Sequence, residues 1–191
     1  MKSPLAICGL LILSLAAAVP DHAQQDRNKR PSPPAVAYCY PPNPYINPLF
    51  FGKMEVHYSS PRMKGRNIYG ALVPFGKVWR LGANEATTFV VSYTSLLVMG
   101  KEIPPGTYTL FAIPDQNQWT LVISKKTDEW GIPYPGESYD LLRVEMKLSP
   151  LPSPVEEFTI SFDKTLEGCT MNVDWETTRA SEVFTVKKLH P

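Results

Sequence analysis

Apolar and polar residues alternate with a period of two along most of this chain. Met54, Val56 and Tyr58 are interleaved with Lys53, Glu55 and His57, and Phe89, Val91 and Tyr93 with Thr88, Val90 and Ser92. The same beat returns at Tyr108, Leu110 and Ala112, at Trp119, Leu121 and Ile123, and at Leu142, Val144, Met146 and Leu148. It returns again at Phe158, Ile160 and Phe162, at Met171, Val173 and Trp175, and in a last run from Val183 to Lys187. Period two places successive side chains on opposite faces of a strand, so each run predicts a half-buried strand. Turn signals separate the runs: Met99-Gly100-Lys101, Pro104-Pro105-Gly106, Pro114 to Asn117, Ser149 to Pro154, and Glu167-Gly168. Short, evenly spaced strands with such turns predict an all-β fold, an antiparallel β-sandwich of jelly-roll-like or Greek-key type. No window supports a long amphipathic helix. Lys64 to Leu72 and Thr127 to Trp130 leave room for at most one or two short helical turns.

The ends of the chain break this beat. Lys2 precedes an apolar run from Leu5 to Val19, with small residues at Ala16 and Ala18 near its end and again at Ala23 beyond it. That run is short for a spanning helix and reads as a signal peptide over residues 1–23; an uncleaved anchor is the alternative. A proline-rich linker is expected over residues 24–50, where Pro31, Pro33, Pro34, Pro41, Pro42, Pro44 and Pro48 remove amide donors and fix φ. Tyr38, Tyr40 and Tyr45 interrupt it, so docking on the domain and a free tether both stay open. A single domain is expected over residues 51–189, of ordinary single-domain length. The mature chain is expected to carry no transmembrane segment and to be exported, periplasmic or secreted.

Charge narrows the partners. Nineteen Lys and Arg against eighteen Asp and Glu give a net charge of +1, so the basic excess that phosphate neutralisation requires is missing and no nucleic acid is expected. Apart from Cys8, the cysteines are Cys39 and Cys169; without C-x-x-C spacing they indicate no zinc site, and whether they pair is left open. With three histidines and no H-E-x-x-H, no metal and no cofactor is expected.

The densest group of candidate chemistry is Val78-Trp79-Arg80-Leu81-Gly82-Ala83-Asn84-Glu85-Ala86-Thr87-Thr88. A strand-like segment carrying Trp79 and Arg80 breaks at Gly82 and then offers an amide, a carboxylate and hydroxyls. Arg80 is suited to grip a carboxylate, phosphate or sugar hydroxyl. Asn84 donates and accepts, and Glu85 accepts, as sugar recognition requires. With Thr87, and with Arg66 from the cationic, aromatic stretch upstream, these are the expected ligand-binding residues: Arg80, Asn84, Glu85, Thr87, Arg66 and Trp79. The structural alternative is a loop pinned by Arg80 and Glu85. Glu85 and His57 are the weak catalytic candidates, as acid or base. Ser59 and Ser60 lie close to His57 but outside any G-x-S-x-G elbow. Glu129 and Glu137, with Glu85, offer a glycosidase-type carboxylate pair, set against turn chemistry in the same loop. Trp79, Trp119 and Trp175 fall on apolar phases and are expected to be core anchors.

Several blocks of this sequence resemble a known family. They are Val56-His57-Tyr58-Ser59-Ser60-Pro61, Lys64-Gly65-Arg66, Ile68-Tyr69-Gly70, Val73 through Thr87, and Gly100 through Phe111. Together they resemble the bacterial domain-of-unknown-function family numbered 2911, over roughly residues 53–187. The resemblance implies an exported or envelope-associated protein. It implies no catalytic residue.

The combined expectation is a secreted or periplasmic domain that binds a small polar ligand or a glycan at the Trp79–Glu85 loop. A hydrolase using Glu85 or His57 is the second reading, and a structural envelope module the third. Mass spectrometry of exported material should give a chain starting between Val19 and Gln25; an intact Met1 contradicts the signal-peptide reading.

Overall fold

A computed structural model of the chain describes residues 30–41 and 52–188. The expected signal peptide, residues 24–29 and 42–51, and the last three residues lie outside the described residues. Nine strands form in the described part: β1 (Pro34–Cys39), β2 (Lys53–Ser59), β3 (Thr87–Ser92), β4 (Leu96–Val98), β5 (Lys101–Ile103), β6 (Gly106–Pro114), β7 (Trp119–Ser124), β8 (Asp140–Lys164) and β9 (Gly168–Val186). They make one antiparallel sheet in the order β1-β2-β3-β6-β7-β8-β9-β4-β5. The fold is therefore all-β, as the alternation predicts. The expected division into two packed sheets is not shown, because hydrogen bonding runs unbroken across all nine strands. β8 makes that continuity: Asp140 to Met146 pair with β7, and Lys147 to Lys164 pair with β9.

Local chemistry explains the strand irregularities. The turn expected over Ser149 to Pro154 is instead carried inside β8. Pro150, Pro152 and Pro154 have no amide to give a ladder, and the register against β9 shifts on both sides of Val155. No helical turn forms over Lys64–Leu72 or Thr127–Trp130; the one turn of helix among the described residues is a 3-10 turn at Glu137–Tyr139. Strand β6 departs from simple alternation, since Phe111 on its outer face is fully buried. The segment after β7 covers that face: the Tyr134 ring packs edge-on to Phe111 at 5.2 Å, and Thr109 Oγ1 donates to Lys126 O at 2.7 Å.

The linker reading is corrected over Pro34–Cys39, which is a strand. β1 pairs with β2 from Pro34↔Ser59 to Cys39↔Met54. It holds an edge position, where a proline's missing amide faces no partner, and this is how a proline-rich segment enters a sheet. A disulfide then joins Cys39 to Cys169 of β9 across 130 residues of sequence. Its presence is consistent with an oxidising compartment outside the cytoplasm. None of the described residues forms a helix long and apolar enough to cross a membrane.

The sheet coils until its distant strands meet. Tyr58 on β2 accepts from the Ile160 amide at 3.1 Å, Ser60 Oγ donates to Phe158 O at 2.7 Å, and the Phe158 amide donates to Pro61 O at 2.8 Å. The start of β9 also lies against its own end. A Cβ on Gly168 would sit 1.9 Å from the Phe184 carbonyl oxygen, so only glycine fits there. Between the facing parts lies the core, with Trp119, Trp175, Phe89, Phe158 and Phe184 almost fully buried. Trp175→Ala should destabilise the fold by about 3–5 kcal/mol in a denaturant titration; a change below about 1 kcal/mol contradicts this core assignment.

Candidate functional site

Trp79 fixes where the candidate loop begins. Its amide donates to Ala112 O and its carbonyl accepts from the Ala112 amide, both at 2.8 Å, a one-residue antiparallel bridge to β6. Its ring stacks on Trp175 with centroids 6.0 Å apart and meets Phe158 and Trp119 edge-on. Beyond it the chain doubles back sharply. Leu81 and Asn84 hold left-handed backbone at φ 52° and 57°. Gly82 sits where a Cβ would come within 3.1 Å of Ser59 O, so the break read from the sequence answers a close backbone approach.

Most polar groups of the loop are turned inward. Trp79 Nε1 donates to Gly82 O at 3.1 Å, and the fully buried Thr87 donates through Oγ1 to Leu81 O at 2.8 Å. Asn84 Nδ2 donates to Ser32 O at 2.9 Å, just before β1. Glu85 is ion-paired with Arg30, so Arg80 and Glu85 do not form the direct pair of the structural alternative. Arg80 donates from Nη1 to Asn84 O at 2.6 Å, and among the described residues no carboxylate lies within ion-pair distance of it. Burial lowers its pKa from the ordinary value, partly offset by the field of Glu85.

The sequence-chosen residues divide between two neighbouring clefts. Arg66, Trp79 and Arg80 line one of about 300 Å3, with Pro61, Leu72, Ile132 and Trp175 as its apolar walls. His57 and Glu85 line the other, of about 260 Å3, with Ser59, Thr88 and the first residues of β1. Ser32 belongs to the first and Pro34 to the second, so the chain entering β1 runs between them. Asn84 and Thr87 line neither cleft. Arg66 curls back on its own loop, donating from Nε to Met63 O at 2.9 Å and from Nη2 to Arg62 O at 2.6 Å.

The remaining catalytic candidates are placed as follows. His57 is exposed on β2. Ser60 is spent on Phe158 O, and the Ser59 carbonyl accepts the Ala83 amide at 3.2 Å. Glu137 pairs with Arg143 at 3.0 Å in an exposed position. Arg143 also donates to Asp140 at 2.7 Å and to Tyr134 Oη at 2.9 Å, which pins the loop that the sequence offered as acidic and aromatic. That loop reaches the first cleft through Gly131, whose Cβ position is 3.2 Å from Arg80 Cβ and 3.3 Å from Ala86. Ile132, next to it, was not among the expected ligand-binding residues; a glycine at a close backbone approach was its only sequence signal. Among the described residues no group of three or more His, Cys, Asp and Glu side chains is arranged to hold a metal ion.

Glu129 is the odd carboxylate. Its Oε1 is buried without a hydrogen-bond partner, and burial pushes its carboxyl above the ordinary range, opposed by Lys126 and assisted by Asp128. A raised folded-state value means the native protein holds its proton longer than the unfolded chain does. Stability is then lost as pH rises above about 4.3, the ordinary glutamate value. Glu129→Gln should unfold at higher denaturant than wild type at neutral pH, with the gap closing below about pH 4. A gap that stays constant with pH contradicts this assignment.

No curated protein matches this chain, and no solved structure matches it. A family model described as "Protein of unknown function (DUF2911)" matches residues 49–183. That span runs from just before β2 nearly to the end of β9 and includes every described lining residue of both clefts except Ser32 and the first residues of β1. The chain therefore belongs to the DUF2911 family of proteins of unknown function.

Proposed function

We propose that this protein is an exported binding domain that takes a polar ligand, a glycan or a small polar molecule, in the cleft beside the Trp79–Glu85 loop. The observation that carries this reading is that Arg66, Trp79 and Arg80 line one cleft, where Arg80 makes a single hydrogen bond among the described residues. A guanidinium has five N–H donors, so most of its donor capacity is left for a partner. Pro61, Leu72 and Ile132 provide apolar walls of the kind that small-ligand sites use around a few placed polar groups. The coiled sheet then serves as a sandwich-like scaffold. The signal-peptide pattern of residues 1–23 and the Cys39–Cys169 disulfide support export.

The hydrolase reading rests on one observation, that His57 and Glu85 line the same neighbouring cleft. Against it, Arg30 is paired with the Glu85 carboxylate, and the Ser60 hydroxyl is committed to a backbone carbonyl.

A glycan and metabolite screen on the mature protein tests the proposal. Arg80→Ala should abolish binding found in the screen while leaving stability within about 1 kcal/mol of wild type. A stability loss of about 3 kcal/mol or more, or unchanged binding, contradicts it and favours a structural role for the loop.

A further inference from the structure

The first cleft contains an electrostatic asymmetry. Two guanidinium-bearing residues, Arg66 and Arg80, line it, and among the described residues no aspartate or glutamate does. The nearest acid to enter the field of Arg80 is Glu85, which lines the other cleft and is paired with Arg30. Other hollows are different. The larger one, of about 620 Å3, mixes Glu145 and Glu182 with Lys147, and the second cleft combines Glu85 with His57. In the first cleft the formal charges of the described lining residues are all positive.

From this we infer that the ligand of the first cleft carries an oxyanion, a carboxylate or a phosphate, on a body with an apolar face. The inference rests on the binding reading above and specifies its ligand class. Arg80 is the anchor. It is half-buried, its one hydrogen bond among the described residues goes to a neutral carbonyl, and burial disfavours its charge. An arriving oxyanion supplies the charge-assisted, bidentate partner that a planar guanidinium fork fits. Arg66 sits at the exposed rim, where both of its protein acceptors are also neutral carbonyls, from Met63 and Arg62. Its charge steers the ligand and adds a second contact. In the same lining, Leu72 and Ile132 are exposed apolar side chains, about 46% and 60% accessible, and they give the uncharged body of the ligand a surface to cover.

The test uses the full mature chain in a calorimetric titration with three probes: a short uronic acid oligomer, the neutral oligomer of the same sugar, and a glycerol phosphate oligomer. An acidic probe should bind at least about tenfold more tightly than the neutral one, the ratio that one charge-assisted hydrogen bond gives. That preference should shrink as salt rises from low to physiological strength. Arg80→Lys should weaken acidic binding, because a point charge replaces the fork, and Arg66→Ala, followed by stopped-flow mixing with the acidic probe, should lower the association rate more than it raises the dissociation rate. The stronger of the uronate and phosphate probes identifies which source of oxyanion the cleft takes. If neutral and acidic probes bind equally and Arg80→Ala abolishes both, the oxyanion inference is overturned while the binding reading stands. If acidic binding survives both Arg80→Ala and Arg66→Ala, or if no probe binds, the inference is overturned, and in the first case the location of the site falls with it.

Discussion

The structure depends on one cluster of rings. Trp79, Trp119, Phe158 and Trp175 meet with centroids 5.2–6.3 Å apart, and Tyr69 closes on Trp119 at 4.9 Å. They come from the Trp79 segment bridged to β6, from β7, from the later part of β8 and from β9, which follow one another in sheet order and meet where the long β8 passes from β7 to β9. Aromatic rings bury about 150–250 Å2 each, and at about 25 cal/mol per Å2 each contributes several kcal/mol. This attraction draws a single sheet into a coil with facing strands. The Cys39–Cys169 disulfide and the Tyr58–Ile160 and Ser60–Phe158 hydrogen bonds hold the same closure at the side of β1 and β2.

The candidate site follows from that closure. Because Trp79 is held in the rings and its backbone is bridged to Ala112, Arg80 leaves a fixed point and not a loose loop. Its neighbours use their own polar groups to hold the turn, with Thr87 on Leu81 and Trp79 on Gly82. Arg80 is the exception: among the described residues its partners are a backbone carbonyl and the more distant Glu85. A rigid loop that satisfies its other polar groups and leaves one guanidinium lining a cleft is preorganised for a ligand rather than built around one.

The strands and the site were legible to different degrees. Period two located the strands because burial of one face is the strongest constraint on each of them, and it placed Trp119 and Trp175 in the core. Arg66, Trp79 and Arg80 stood out because cation and aromatic residues were close in sequence, and they share a cleft. What stayed hidden depends on contacts distant in sequence. β1 is a strand because an edge position excuses its proline and a cysteine 130 residues away ties it down, and neither fact is local. Phe111 is buried on an outward face because the segment carrying Tyr134 folds over it. Separation of His57 and Glu85 from Arg80 follows from the chain entering β1, which sequence reading had assigned to a linker.

The central claim is that the ring cluster sets Arg80 at the wall of a binding cleft. A nuclear magnetic resonance titration of the mature protein with a uronic acid oligomer, following the indole, arginine and backbone N–H signals, tests it most directly. The account predicts that shifts concentrate on Arg66, on Trp79 to Ala83, on Ile132 and on the Trp175 indole, while His57 and the strand ends far from Trp175 stay unmoved. Shifts centred on His57 and Glu85, or no localised shifts at saturating probe, would contradict it.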